Sequence, residues 1–163
     1  MSWNHLVLPV KPDPDYIQWL VENSGHALDG LTLGSRIPTA RQVITALTDA
    51  GCYGALNFEA AGDANEAFRR ALKALANAPG SSAFDLNEIS LQDARHIMHS
   101  VDAETAVTCV SFRSIDGEPL LRAVFALTQA MGAVAVVDAG AGDQVRAVLP
   151  TDDIDTVRTH WPW

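Results

Sequence analysis

Asp93, His96 and His99 recur at three-residue intervals in SLQDARHIMHS. Imidazoles and carboxylates are ligands for zinc-like ions, and two histidines one helical turn apart can share a metal. The segment is expected to be a helix over 90–100, with Ser90 as its N-cap. Its apolar stripe would be Leu91, Ala94, Met98 and Val101, and at about 100° per residue the two imidazoles point away from it. A convex, solvated face lacks the third ligand and dry pocket of a catalytic metal site. Two surface histidines and no bound metal are therefore expected. Cys52 and Cys109 each lie among small or apolar residues, a setting for buried free thiols.

The stretch AVVDAGAGDQV, Ala135 to Val145, places Asp138, Gly140 and Gly142 at the end of an apolar run. Across Val136 to Gly142 it resembles the opening of the nucleotide-binding loop of S-adenosylmethionine-dependent methyltransferases. There, glycines let the backbone approach the ligand and an acid further along takes the ribose hydroxyls. The pattern then breaks. Gln144 stands where a further glycine is expected, and only 21 residues follow Gly142. DQVRAVLP alternates like a strand instead of opening a helix. A hairpin turning through Gly140–Asp143 is expected, with no cofactor. The chain holds no Gly-x-Ser-x-Gly elbow, paired zinc cysteines or phosphate loop.

The elements that would position these residues alternate in type. Strands are expected over 3–10, 52–60, 83–89, 104–112, 133–139 and 144–150. Helices are expected over 15–25, 39–51, 63–80, 118–132 and 151–160, besides the histidine segment. Thr39 and Gln42 fit a capping box, with Val43, Ile44, Leu47 and Ala50 as the apolar face behind it. Asp63 would cap the next helix, with Glu66 three residues on. Phe68, Ala71, Leu72 and Leu75 form its stripe, and Arg69, Arg70 and Lys73 a solvated basic face. The expected fold is one α+β domain over residues 1–163, a mixed or antiparallel sheet with helices mainly on one face. ALTDAG at Ala46 and ALTQAMG at Ala126 raise the idea of two related halves, 1–80 and 81–163. Trp3 and Trp19 are expected in the core. Trp161 and Trp163, in HWPW, must pack back onto the domain or meet a partner.

Charge narrows the functional classes. The chain has 163 residues, 48% hydrophobic, with 20 acids against 11 bases and a net charge of −9. Nucleic acid and anionic membranes need clustered Lys and Arg, so neither is an expected partner. From Ser82 onward there are twelve acids and five bases; before it there are eight and six. No basic leader or membrane-length apolar run is present in the sequence, and a cytoplasmic location is expected. In size, acidity, α+β pattern and its opening MSWNHLVLPV, the chain resembles the small acidic immunity proteins that bacteria make beside toxins of type VI and contact-dependent systems. That resemblance implies a non-catalytic protein that binds one cognate toxin tightly, a toxin whose basic surface would suit an acidic partner. The residues expected to meet it are Glu104, Asp116, Glu118, Asp143, Asp152, Asp153 and Asp155, with Trp161 and Trp163. The alternative is a small-ligand-binding domain or small enzyme using the Gly140–Asp143 turn or the Asp93/His96/His99 face.

Overall fold

The computed structural model describes residues 4–24, 35–77, 85–93, 97–115, 117–140 and 144–163. Its strands are β1 (Asn4–Pro9), β2 (Tyr53–Leu56), β3 (Glu59–Ala60), β4 (Asp85–Gln92), β5 (Ser100–Val101), β6 (Cys109–Arg113), β7 (Val134–Asp138) and β8 (Val145–Val148). Its helices are α1 (Pro14–Ser24), α2 (Ala40–Asp49), α3 (Glu66–Ala76), α4 (Gly117–Met131) and α5 (Ile154–Thr159). Six strands form one mixed sheet in the order β2-β4-β6-β1-β7-β8. Only β2 and β4 run parallel; the other neighbours are antiparallel. The chain is thus a single α+β domain, as the element pattern indicates.

Period-two alternation fixes which residues enter the core. Ile89 and Leu91 of β4, Val110 and Phe112 of β6, Val7 of β1 and Val136 of β7 all point to one face, where they meet α2, α3 and α4. α4 is buried on nearly all sides because it lies between the sheet and other helices, which explains its all-round apolar sequence. The opposite face is covered differently. Ala133, Ala135, Val145 and Ala147 pack against Leu20, with Tyr16 and Ile17 of α1 alongside. Among the described residues, α1 is the one helix on that face, and it reaches the β7–β8 edge.

Local signals set several boundaries. Thr39 caps α2 by accepting the Gln42 N–H at 3.3 Å, and the Gln42 side chain accepts the Thr39 N–H at 2.9 Å. The helix entry is pinned further by Ala40 N–H to Thr105 O and Val107 N–H to Pro38 O. Other expectations need correction. The cap of α3 is Asn65, not Asp63; its Oδ1 accepts the Phe68 N–H at 2.8 Å. The expected strand 52–60 is two strands, because β3 leaves the main sheet and pairs in parallel with β5. The strand expected over 104–112 begins only at Cys109, since residues 105–107 are used to hold the start of α2.

The largest correction concerns the expected helix 90–100. Ser90, Leu91 and Gln92 belong to β4, paired with Ser111, Val110 and Cys109 of β6. Gln92 forms an antiparallel bridge with Ile97, and Met98 N–H donates to Leu91 O at 2.9 Å. The chain therefore reverses there, and Ser90 caps nothing. β4 sits between two strands and satisfies its backbone from both sides, which outweighs the helical leaning of the residues after it.

Candidate functional site

Dismantling the histidine helix removes the shared face on which Asp93, His96 and His99 were placed. Asp93 directly follows β4, and His96 lies outside the described residues. His99 is exposed, and its carbonyl accepts the Glu59 N–H at 3.1 Å. Among the described residues, no group of three or more His, Cys, Asp or Glu side chains is arranged to hold a metal.

β7 and β8 pair antiparallel on either side of the glycine stretch, so that segment is a hairpin. Asp138 is 4% exposed, and its Oδ1 accepts the Gly140 N–H at 2.8 Å. The carboxylate thus braces its own turn. Gly142 and Asp143 lie outside the described residues. Cys52 and Cys109 are free and buried. Burial pushes their thiols up to about 11 and about 12, so both are protonated and poor nucleophiles at neutral pH.

Sequence reasoning passed over a buried polar cluster at the same end of the sheet. His5 of β1 stands opposite Phe112 on one side and Asp138 on the other. It is 1% exposed. Trp163 closes over it edge-on, with ring centroids 5.0 Å apart at 70°, and Trp161 meets Trp163 at 5.0 Å and 80°. A histidine beside a carboxylate is an acid–base layout. Here the imidazole has essentially no solvent face, so the arrangement closes a core. The signal available beforehand was His5 at an inward position of β1, two residues before Val7.

The acids expected to meet a partner are spread over local tasks. Glu104 pairs with Arg41 at 3.3 Å. Asp152 accepts the Leu149 N–H at 2.8 Å, and Asp153 caps α5 through Thr156. Asp155 pairs with Arg158. Asp116 and Asp143 lie outside the described residues. Glu118, at the start of α4, receives Arg122 Nε at 2.8 Å and Arg158 Nε and Nη2 at 2.8 and 2.9 Å. The bond from Arg158, with Arg122 adding to it against a desolvation penalty, holds the Glu118 carboxyl down at about 2. A depressed carboxyl contributes stability that is complete above its unfolded value near 4.5 and is lost as pH falls toward 2. Glu118→Gln should therefore flatten the acid limb of the pH–stability curve between those values, followed by urea unfolding. The effect should be modest, because the group is partly solvated. An unchanged acid limb would remove the Glu118 pairs from the stability account.

On α1 the outcome is reversed. Trp19, expected in the core, is 43% exposed. It stacks on Tyr16 with centroids 6.0 Å apart at 23°. The inner face of α1 is taken by Leu20, at 0% exposure, leaving Trp19 on the outer side. Trp3 lies outside the described residues. Arg69, Arg70 and Lys73 do form an exposed face of α3. Arg70 pairs with Glu66 at 3.9 Å, and Arg69 donates to the carbonyls of Ala61, Gly62 and Ala64.

No protein-family model, curated protein or solved structure matches the chain. The class defined by fold and surface is a single acidic α+β domain with a mixed sheet. Among the described residues, no helix is long and apolar enough to cross a membrane.

Proposed function

We propose that the chain is a non-catalytic binding protein, an immunity protein that neutralises a cognate bacterial toxin by direct protein–protein contact in the cytoplasm. The observation that carries this reading is the net charge of −9 on a 163-residue domain. Ion pairing between neighbours leaves that surplus intact, so the field felt by an approaching basic protein persists. Under this reading Glu104, Glu118, Asp152, Asp153 and Asp155 add to the field that steers the partner. Their carboxylates are already engaged by caps and arginines, so they act through the summed field and not as new anchors. Trp161 and Trp163 beside α5 are partly buried against the main core and brace that part of the surface.

The test is the toxin domain encoded next to this gene. Co-production should restore growth to cells making the toxin, and the purified pair should form a stable complex. Association should slow by tenfold or more from low to high salt, as electrostatic steering is screened. An adjacent toxin that neither binds nor is neutralised would overturn the reading, as would the lack of any toxin gene beside this one.

A further inference from the structure

We propose that the outward face of α1, centred on Trp19, is the docking surface for a basic protein partner. The inference rests on the binding-protein reading and names the surface and the chemistry it recognises. Trp and Tyr dominate interface hot spots because they bury large, rigid, amphipathic area at little entropic cost. Here both are on one helix and already stacked. The helix under them is capped at its start, bonded within itself and anchored on its inner face. Asp13 Oδ1 accepts the Asp15 and Tyr16 N–H groups at 2.9 and 3.2 Å, Asn23 Nδ2 donates to Trp19 O at 2.7 Å, and Leu20 anchors the inner face. The Trp19 ring is thus presented on a rigid element, which lowers the ordering cost of binding.

The charge around it selects the partner. Asp15 and Glu22 stand four residues before and three after Trp19, on the same side of the helix. Neither takes part in an ion pair among the described residues; Glu22 accepts only the Gln18 side chain, at 2.8 Å. Within residues 11–24 the sole cation is Lys11, against Asp13, Asp15 and Glu22. This contrasts with Glu104, Glu118 and Asp155, whose charges are met by arginine. An apolar ring beside unpaired carboxylates fits a protein surface that offers an apolar recess flanked by Lys or Arg. A second copy of this chain would bring the same acids against these, and an anionic membrane or nucleic acid would be repelled.

The experiment compares wild type, Trp19→Ala and the pair Asp15→Asn with Glu22→Gln against the adjacent toxin domain, by stopped-flow association and calorimetry. Trp19→Ala should melt close to wild type, since its ring contributes little to the core. It should bind at least about 30-fold more weakly, the fold-change of a hot-spot residue. The paired neutral variant should associate several-fold more slowly at low salt and equally at high salt. A toxin that fails to bind wild type overturns both this inference and the functional reading. A toxin that binds wild type and Trp19→Ala equally leaves the functional reading standing and overturns this surface. Self-association of wild type that Trp19→Ala abolishes would give the surface to a second copy and overturn the basic partner.

Discussion

Phe112→Ala lowers the unfolding free energy by about 3–5 kcal/mol, while Ser111→Ala, one residue away, costs about 1 kcal/mol or less. The contrast follows from register. Phe112 is fully buried on β6, opposite Ile89 of β4 and His5 of β1, in the core beneath α4. Removing its ring leaves a cavity that the flanking strands, hydrogen-bonded on both sides, are poorly able to close. Ser111 points to the other face, where it accepts one hydrogen bond from Gln92 at 3.2 Å. A domain of this kind has roughly 5–15 kcal/mol of total stability, so the Phe112 variant should be largely unfolded at modest urea. Urea titration should move the midpoint with little change in slope. Similar costs at the two positions would mean the strand register is wrong by one residue, since a single slip exchanges the faces.

The parts of the fold legible in the sequence are those decided by near neighbours. The Thr39–Gln42 capping box is a reciprocal bond between residues three apart, and it forms. The apolar, β-branched runs of β6 and β7 were legible as strands, and β7 is apolar almost throughout because both of its faces are covered. The segment from Ser90 failed for a non-local reason. Its helix-favouring composition competes with pairing of Ser90–Gln92 to β6, which comes later in the chain, while β2, which comes earlier, holds the first part of the same strand up to Ile89. Trp19 failed for a different one. Tyr16, Ile17, Trp19, Leu20 and Val21 put apolar residues around most of α1, but that helix has only the β7–β8 edge to cover. Leu20 fills the available space, and Trp19 and Val21 stay exposed. The inward position of His5 was open to reading, but its partners were not, because nothing near it in sequence reveals Asp138 or Trp163; β1 had first to be placed between β6 and β7.

Replacing both terminal indoles, Trp161→Ala with Trp163→Ala, should lower stability by about 2–4 kcal/mol. Both rings pack against the main core, yet neither is fully enclosed, so the cost falls below that of two central aromatics. The single variants should not add, because the two rings touch edge to face; a coupling of about 0.5–1.5 kcal/mol is expected. Their indole N–H groups are buried with no acceptor among the described residues, so each ring forfeits part of its hydrophobic gain. Trp163→Phe, which keeps an aromatic edge toward His5 and removes one such donor, should therefore cost much less than Trp163→Ala. The second readout is His5 itself. In wild type it is 1% exposed, while His99 and His160 are exposed and serve as internal controls. Diethylpyrocarbonate, followed by peptide mass mapping, should modify the two controls in every variant and His5 only once Trp163 is truncated. A double variant as stable as wild type, with His5 still protected, would show that the end of the chain does not close this part of the sheet.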